Sequence, residues 1–198
     1  MVCFDLEGVL VPEFWEEFSK ATGIPELMLT TRDEPDYDKL MKMRIRVLKE
    51  HGFTMKEISE VVSKMNALPG AREFVDWVKT VAQPCILTGS YYEYITPLVA
   101  KLGYPFMFAN SLEIDSKGNI VGYKLRENDG KVEQIKRFKE AGYEVIAVGD
   151  SFNDVKMLKE ADTGILFKAC AALKRQEKQL RKAENYSELK KILEELLD

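Results

Sequence analysis

Four short apolar runs alternate with stretches of helical periodicity along the chain. These runs, at residues 2–4, 85–87, 145–148 and 164–167, have the length and continuity of buried strands. Strands that alternate with helices are typical of a parallel sheet with helices on both faces. The pattern therefore predicts an α/β fold with a doubly wound parallel sheet.

The segment between the first two runs has helical spacing only. We predict three helices in it, over residues 13–22, 37–51 and 54–65. Thr54 and Glu57 have the spacing of a capping box, which supports the start of the third helix. A helical insertion of this length is too long for a simple crossover between parallel strands. We therefore predict a small helical cap domain over residues 13–70, inserted into an α/β core made of residues 1–12 and 71–198.

Three further patterns complete the predicted organisation. Alternating runs flank the turn at residues 116–119 and predict a β-hairpin over residues 111–125. The tripeptide "LPG" at residues 68–70 is expected to form a hinge back to the core, before a helix over residues 71–81. The charge-rich stretch 174–191 is expected to be a solvated helical surface.

Composition narrows the class of protein. Hydrophobic residues make up 45% of the 198 positions, which is enough for a core and too many for a disordered chain. The net charge is −4 with acidic and basic residues mixed, so no nucleic-acid partner is expected. No apolar run approaches the roughly 20 residues of a membrane span, and no signal peptide is recognised, so no membrane partner is expected. We expect a cytoplasmic protein with a small-molecule substrate, either a monomer or a homodimer.

Cysteine and histidine offer little chemistry. Cys3, Cys85 and Cys170 are far apart and lack zinc-ligand spacing, so we expect small buried hydrophobes in a reducing cytosol. His51 is the only histidine and is expected at a helix end, where histidine is favoured by the helix dipole. We assign His51 no catalytic role.

Two carboxylates follow the first predicted strand. Asp5 and Glu7 are separated by one residue, so an extended chain directs them to the same side. One carboxylate there can attack phosphorus, and the other can donate and accept a proton. Gly8 lets the chain turn sharply away. Acids at a strand end are also often plain solvated residues, and these residues alone leave that alternative open.

Thr88-Gly89-Ser90 comes directly after the second predicted strand. A hydroxyl and the backbone N–H groups of a glycine turn are suited to a phosphate oxygen. The alternative is an ordinary N-cap for a helix over residues 91–102.

Lys131 and "VGDSFND" are the remaining candidates. Lys131 is expected at the start of a helix, where a cation opposes the helix dipole; it would balance buried carboxylates and phosphate, and a merely exposed lysine is the alternative. Asp150 and Asp154 follow another predicted strand and suit a hard cation such as Mg²⁺. All four clusters lie beyond core strands, where parallel sheets bind ligands. Together they supply what phosphoryl transfer needs.

The order of these motifs resembles the haloacid dehalogenase superfamily of phosphatases. "DLE", a hydroxyl after an apolar strand, a lysine and "GDSFND" occur in that order, and the helical insertion resembles the superfamily's small cap. The stretches "LEGVLVPE", "TRDEPDYDKLMK", "EFVDW" and "LEID…VGY" are similar to phosphoserine phosphatases of the branch that also transfers phosphate from phosphoserine to homoserine. Most of the superfamily has aspartate where this chain has Glu7, although that branch does not. Thr88 replaces the usual serine and keeps the hydroxyl.

The resemblance implies a role for each core motif. Asp5 would be the nucleophile and Glu7 the general acid and base of a phosphoserine phosphatase, with homoserine as a second phosphoryl acceptor. The phosphate would be held by Thr88, Gly89 and Lys131. Ser90, from the same segment as Thr88 and Gly89, is expected to contact the substrate as well. Magnesium would be held by Asp5, the backbone carbonyl of Glu7 and Asp150, with Asp154 close behind.

The resemblance also implies substrate contacts outside the core motifs. Glu13 would bind the substrate ammonium and Arg44 its carboxylate, for which a guanidinium has matching geometry. Tyr37 matches an aromatic residue of the family's cap, and Asn153 would contact the substrate as well. Charged residues on helices are usually solvated, which is the alternative for Glu13 and Arg44.

Three other functions stay open at this point. A signalling receiver domain also uses an acid cluster, a hydroxyl and a lysine on a parallel sheet, although it leaves the helical insertion and "GDSFND" unexplained. A phosphatase of the same superfamily for a nucleotide or sugar phosphate would have the same core motifs. A catalytically inactive scaffold is disfavoured because every core residue is present.

Overall fold

The structure, a computed structural model, describes residues 1–31, 33–34 and 36–197. Arg32 and Pro35, which belong to the motif "TRDEPDYDKLMK", and Asp198, the last residue of the predicted core, lie outside the described residues. None of the helices in the described ranges has the length and apolar character needed to cross a membrane.

A mostly parallel sheet forms the centre of the fold. Its strands are β1 (Val2–Phe4), β2 (Pro84–Tyr91), β3 (Phe106–Ile114), β4 (Ile120–Lys124), β5 (Ile146–Gly149), β6 (Thr163–Phe167) and β7 (Arg181–Ala183). They lie in the order β4-β3-β2-β1-β5-β6-β7, and all neighbours are parallel except the antiparallel pair β3 and β4. The predicted α/β class is confirmed, and so is the hairpin, which adds its strands to one edge of the sheet.

Nine α-helices lie in the described ranges, and the five whose bounds were predicted agree closely with the prediction. The helices are α1 (Phe14–Thr22), α2 (Tyr37–Glu50), α3 (Met55–Lys64), α4 (Ala71–Val81), α5 (Tyr92–Lys101), α6 (Gly130–Glu140), α7 (Val155–Glu160), α8 (Ala171–Gln176) and α9 (Tyr186–Leu197). The bounds of α4 are those predicted, and α1, α2, α3 and α5 differ by at most one residue at either end. The capping box of α3 is formed, because the backbone N–H of Thr54 donates to Glu57 Oε2 at 2.7 Å.

Alternation along the strands explains why helices cover both faces of the sheet. Val2 and Phe4 of β1 belong to a buried cluster that includes side chains of α4 and α9. Cys3, between them, belongs to a second cluster with side chains of α6, α7 and α8. Burial of one large apolar side chain stabilises a fold by about 1.5–3 kcal/mol, so both faces contribute to the core. Cys3 and Cys85 are buried as expected, whereas Cys170 is exposed because it precedes the short surface helix α8.

Three sequence expectations are wrong. Thr88-Gly89-Ser90 is part of β2 rather than a turn, because pairing with β3 continues to Tyr91 through a shift of register after Leu87. The N-cap of α5 is Tyr91, whose side chain makes no capping hydrogen bond, so the N-cap alternative is wrong as well. The stretch 174–191 is not all helix, because it contains β7, which pairs with β6 at the edge of the sheet and buries Ala183.

The inserted helices leave and rejoin the sheet at neighbouring points. The N–H of Leu68 donates to the carbonyl of Leu10 at 2.9 Å, so the two connections are hydrogen-bonded to each other. Phe14 and Phe18 of α1 and Val62 of α3 share the buried cluster that contains β1. The insertion therefore packs directly on the core, above the edge where the candidate residues are found.

The sheet order brings three strand ends together. β1 lies between β2 and β5, and the chain passes from β1 to β2 on one side and reaches β5 on the other. Such a switch in direction opens a crevice at the carboxyl ends of the strands, where α/β proteins bind ligands. Asp5, Thr88 and Asp150 stand at this edge.

Candidate active site

Asp5 is held at the first position beyond β1. Its backbone N–H donates to the carbonyl of Val148 at 2.9 Å, which continues the pairing with β5 by one residue. Its Oδ1 accepts the N–H of Leu6 at 2.7 Å and lies 2.8 Å from Lys131 Nζ. Burial raises the pKa of the Asp5 carboxyl well above its usual value, the charge of Asp154 adds to this rise, and Lys131 opposes it.

Lys131 bridges two of the acids. Lys131 is the second residue of α6. Its Nζ lies 2.8 Å from Asp5 Oδ1 and 2.8 Å from Asp154 Oδ1. Burial lowers the pKa of Lys131, but the charges of Asp154 and Asp5 outweigh burial and raise it above its usual value. The lysine is therefore a fixed cation, and the alternative of a merely exposed lysine is excluded.

Asp154 organises the loop after β5. Its Oδ2 accepts the N–H of Asp150 at 3.1 Å, and the N–H and hydroxyl of Ser151 at 3.1 and 3.0 Å. Its Oδ1 accepts from Lys131 at 2.8 Å. Burial opposes ionisation of Asp154, but Lys131 and Ser151 outweigh it and lower the pKa of the carboxyl. Asp154 thus fixes both Asp150 and Lys131 in place.

Three carboxylates converge on a space suited to a hard cation. Oxygens of Asp5, Asp150 and Asp154 lie within 4.8 Å of one another. When all three are ionised, Lys131 leaves a net charge of −2, which a divalent cation would balance. Oxygen-rich sites with one or two direct carboxylate ligands are typical of Mg²⁺. The residues present therefore fit the ion that the family resemblance implies, with Asp5 and Asp150 as its side-chain ligands.

Gly8 passes so close to Asp150 that no side chain fits between them. Its φ is +77°, and a Cβ there would lie 2.5 Å from Asp150 Oδ2. We expect Gly8→Ala to lower the free energy of unfolding by about 1–2 kcal/mol from backbone strain and by about 1–3 kcal/mol more from the contact. Chemical denaturation measures the total loss in the free energy of unfolding.

Gly23→Ala is the matched control for this change. Gly23 has a similar φ of +72°, but nothing lies within 4 Å of the added Cβ. Only the backbone strain is expected there. An equal loss in the two variants would contradict the close approach of Gly8 to Asp150.

Glu7 is held by two donors from different elements. Its Oε1 accepts the N–H of Phe14, at the start of α1, at 2.8 Å, and its Oε2 accepts the hydroxyl of Ser90 in β2. The carboxyl is therefore fixed between the first inserted helix and the sheet. It is not a plain solvated strand-end acid.

The Thr88-Gly89-Ser90 segment has a different set of partners from the one expected. The N–H of Ser90 donates to Thr88 Oγ1 at 3.1 Å, and the Ser90 hydroxyl is directed to Glu7. The carbonyl of Gly89 accepts from the side chain of Asn110 at 2.8 Å. Thr88 and Ser90 are buried while Gly89 is exposed, so the segment stands at the crevice without forming the predicted turn.

Arg44 is buried in the inserted helices. It is 6% exposed, its guanidinium stacks on Trp15 with Cζ 4.4 Å from the ring centroid, and one NH2 donates to the carbonyl of Leu29 at 2.8 Å. Its Nε has no hydrogen-bond partner among the residues that the structure describes. Burial lowers the pKa of Arg44, and the neighbouring tyrosines Tyr94 and Tyr37 oppose this. The alternative of a solvated arginine is therefore wrong.

Glu13 and Tyr37 stand at the rim of the crevice. Desolvation at the rim, followed by the charges of Glu7 and Asp150, raises the pKa of the Glu13 carboxyl to about 8. The hydroxyl of Tyr37 is 2.7 Å from that of Tyr91 and donates to the carbonyl of Gly89 at 3.4 Å. Both residues lie near the core motifs, and their substrate roles stay predictions.

Asn153 is engaged with the inserted segment. Its amide donates to Thr31 Oγ1 at 3.0 Å, which joins the loop after β5 to the loop before α2. Asn153 is exposed, and its contact with substrate stays a prediction.

Two residues of the site were missed by sequence reasoning. Trp15 supports Arg44, and Tyr94 donates to the Ser90 hydroxyl at 3.3 Å. Each is an aromatic residue on the apolar face of a helix, which is the ordinary pattern of a core residue. The sequence pattern therefore does not indicate the cation contact of Trp15 or the hydrogen bond of Tyr94. The charge of Glu7 acts to raise the pKa of Arg44 against the effect of burial, so the two side chains lie within electrostatic range of each other.

The core motifs and the fold match a known family. A model of the haloacid dehalogenase-like hydrolases matches residues 1–162 of this chain. Phosphoserine phosphatase ThrH of Pseudomonas aeruginosa is 47% identical over 191 residues, covering 96% of this chain and 93% of that protein. A phosphoserine phosphatase of Pseudomonas syringae pv. tomato is 46% identical over 191 residues and covers 96% of this chain and 81% of that protein.

Solved structures agree with this match. A phosphoserine phosphatase from T. onnurineus, in complex with NDSB-201, is 26% identical with a TM-score of 0.75, over 96% of this chain and 91% of that one. A phospho-aspartyl intermediate analogue of phosphoserine phosphatase has a TM-score of 0.78 at 21% identity, over 98% and 96% of the two chains, and supports the fold alone. The family match excludes the alternative of a signalling receiver domain. This chain belongs to the haloacid dehalogenase-like hydrolase family.

Proposed function

We propose that the protein is a Mg²⁺-dependent phosphomonoesterase that hydrolyses O-phospho-L-serine to L-serine and phosphate through a phosphoryl-Asp5 intermediate. The two Pseudomonas relatives, which are named phosphoserine phosphatases and cover nearly the whole chain, support the substrate. The arrangement of Asp5, Glu7 and Lys131 supports the reaction.

The observation that carries the substrate assignment is the buried Arg44. A guanidinium that is 6% exposed and whose Nε lacks a partner among the described residues leaves a donor unsatisfied, which is costly. A substrate carboxylate would satisfy that donor and would balance the charge. Phosphoserine has a carboxylate in addition to its phosphate, whereas simple alkyl phosphates do not.

In the first step, a carboxylate oxygen of Asp5 attacks phosphorus and the bond to the serine oxygen breaks. Glu7 gives its proton to that oxygen, so L-serine leaves as a neutral alcohol. Lys131, which is charged and fixed, stabilises the negative charge of the phosphoryl oxygens. Asp5, Asp150 and the carbonyl of Glu7 would hold Mg²⁺, which supplies further positive charge to those oxygens when it is bound.

In the second step, water attacks the phosphorus of phosphoryl-Asp5. Glu7, now a carboxylate, takes the proton from this water, and the Asp5 carboxylate is released together with inorganic phosphate. A hydroxyl group in place of the water would receive the phosphoryl group instead. Homoserine offers such a hydroxyl and is the acceptor that we include in the tests.

We also propose that residues 13–70 act as a cap on a core of residues 1–12 and 71–198. The hydrogen bond between Leu68 and Leu10 supports this division, because the insertion leaves and re-enters the core at one place. The cap would contribute Arg44, Glu13 and Tyr37 to recognition of the amino-acid end of the substrate.

A phosphate-release screen tests the proposed activity. The purified protein with Mg²⁺ is expected to release phosphate from phosphoserine faster than from phosphothreonine, nucleotides or sugar phosphates. Addition of homoserine, followed by analysis for homoserine phosphate, tests transfer. A clear preference for a nucleotide or a sugar phosphate would refute the substrate and would leave the family's chemistry intact.

Loss of Arg44 is expected to affect phosphoserine selectively. A shielded, charge-assisted contact with a carboxylate is worth about 2–3 kcal/mol, so Arg44→Ala should lower kcat/KM for phosphoserine roughly 30- to 150-fold. An alkyl or aryl phosphate has no carboxylate, and p-nitrophenyl phosphate should lose far less. The measurement is the ratio of the two losses.

Arg46→Ala is the matched control for Arg44. Arg46 lies two residues further along α2, is exposed, and has its Nε 3.7 Å from Glu50 Oε1. Arg46→Ala should change kcat/KM for phosphoserine and for p-nitrophenyl phosphate by no more than about 2-fold, because surface ion pairs contribute little. Equal losses on both substrates in Arg44→Ala would show that the residue is structural.

A further inference from the structure

The Glu7 carboxyl is oriented by two hydrogen bonds, one on each oxygen. The N–H of Phe14 donates to Oε1 at 2.8 Å, and the Ser90 hydroxyl donates to Oε2. Donors on both oxygens fix the plane of a carboxyl group. Each oxygen keeps a second lone pair, which is available for the proton that the carboxyl carries.

The direction of the Ser90 hydroxyl is itself determined by a neighbour. A hydroxyl has one proton and two lone pairs, and Ser90 Oγ accepts from the Tyr94 hydroxyl at 3.3 Å. A donor on that side leaves the proton of Ser90 for Glu7. Burial, followed by the charge of Glu7, raises the pKa of Tyr94 well above its usual value, so Tyr94 remains a donor.

Tyr94 also connects the two donors of Glu7. It is 2% exposed, and its ring stacks on the ring of Phe14 with centroids 4.1 Å apart and an angle of 26° between planes. Phe14 supplies the N–H on Oε1, and Tyr94 orients the hydroxyl on Oε2. The stack therefore ties α1 to α5 around a single carboxyl.

We propose that Ser90 and Tyr94 are positioning residues that hold the Glu7 carboxyl in the orientation for proton transfer to the leaving oxygen. This inference rests on the proposed function, in which Glu7 is the general acid. It differs from the role predicted for Ser90 from the sequence, which is to contact the substrate as part of a segment suited to a phosphate oxygen.

The two roles predict different dependence on the leaving group. Every substrate has the same phosphate, so loss of a phosphate ligand slows all of them alike. A general acid matters most when the leaving oxygen is a strong base, as in phosphoserine or phenyl phosphate, and least for p-nitrophenyl phosphate. The constant kcat/KM reports the steps through departure of the leaving group when that departure is irreversible, so it separates the two roles.

The experiment compares kcat/KM for phosphoserine, phenyl phosphate and p-nitrophenyl phosphate in Ser90→Ala and wild type. A positioned general acid contributes roughly 100- to 10,000-fold, so partial loss of its orientation should cost on the order of 10-fold on the first two substrates. On p-nitrophenyl phosphate the loss should be less than about 3-fold, because its leaving group needs little protonation. Tyr94→Phe should give the same direction with a smaller loss, about 2- to 5-fold, because its donation is indirect.

Two variants serve as controls. Ser90→Thr keeps the hydroxyl, so its kcat/KM for phosphoserine relative to that for p-nitrophenyl phosphate should be close to the wild-type ratio. Tyr92 lies on the same helix as Tyr94, and its hydroxyl donates to the carbonyl of Met107 at 3.0 Å, away from Glu7. Tyr92→Phe removes that hydroxyl and should leave the ratio unchanged. Where Ser90→Ala does not fold, Tyr94→Phe carries the test.

Equal losses on all three substrates in Ser90→Ala would overturn the inference and favour phosphate binding. No loss on any of them would overturn it as well. Failure of the proposed substrate is recognised separately, because wild type would then not hydrolyse phosphoserine. The comparison between phenyl and p-nitrophenyl phosphate would still report whether Ser90 acts through Glu7.

Discussion

Asp5→Asn is expected to abolish turnover while the protein stays folded. An amide has nearly the shape of the carboxylate but cannot attack phosphorus, so no phosphoryl intermediate forms. The remaining rate should be below a few per cent of wild type on every phosphate ester. The measurement is phosphate release under saturating substrate, together with a thermal unfolding curve.

Stability distinguishes a missing nucleophile from a damaged fold. The pKa of Asp5 is raised in the folded protein. At pH values above about 4, the ordinary pKa of an aspartate, the ionised Asp5 side chain therefore lowers the stability of the fold. In neutral buffer without divalent cations, Asp5→Asn removes that cost and should unfold at the same temperature as wild type or higher. Asp76→Asn makes the same chemical change in an exposed ion pair with Arg72 and should keep full turnover. Appreciable turnover in Asp5→Asn would refute the covalent mechanism.

Asp150→Ala is expected to remove both activity and the response to Mg²⁺. In wild type, Mg²⁺ at 100 times its dissociation constant would stabilise the fold by about 2.7 kcal/mol, which corresponds to a rise in Tm of roughly 5–10 °C for a chain of this length. The variant lacks one of the two proposed side-chain ligands, so the rise in Tm should disappear at the same concentration. Thermal unfolding with and without Mg²⁺ measures this without reference to any substrate.

The activity of wild type provides the complementary test. Excess EDTA should stop phosphate release, and added Mg²⁺ should restore it. Asp76→Ala, which removes an exposed carboxylate far along the chain in α4, should retain both the activity and the rise in Tm. Full activity of wild type in EDTA would contradict the assignment of the metal site.

Several parts of the fold could be predicted because their signals are local. The apolar runs of β1, β5 and β6 and the periodic faces of α2 and α4 are properties of consecutive residues, and they need no knowledge of partners. The glycine at position 8 and the capping box of α3 are local as well. Their chemistry restricts the backbone within a few residues, so the sequence predicts them where they stand.

Other elements depend on neighbours that are distant in the chain. Thr88-Gly89-Ser90 contains a glycine and two hydroxyls, a composition typical of turns, yet pairing with β3 keeps it in a strand. β7 has only three residues and two of them are charged, so it is recognisable only through its place beside β6. Tertiary pairing overrides local preference at both positions.

The candidate site has the same division. The sequence alone indicates which groups are present, because Asp5, Asp150 and Asp154 follow parallel strands whose carboxyl ends must meet at one edge, and Lys131 lies at the start of a helix. Their connections became visible in the folded structure: Lys131 lies between two acids, Arg44 is buried against Trp15, and Ser90 is hydrogen-bonded to a carboxyl 83 positions away. Hydrogen bonds of that kind are fixed by distances of a few ångströms between separate elements. No spacing along the chain encodes such distances, because they arise from packing of the whole fold.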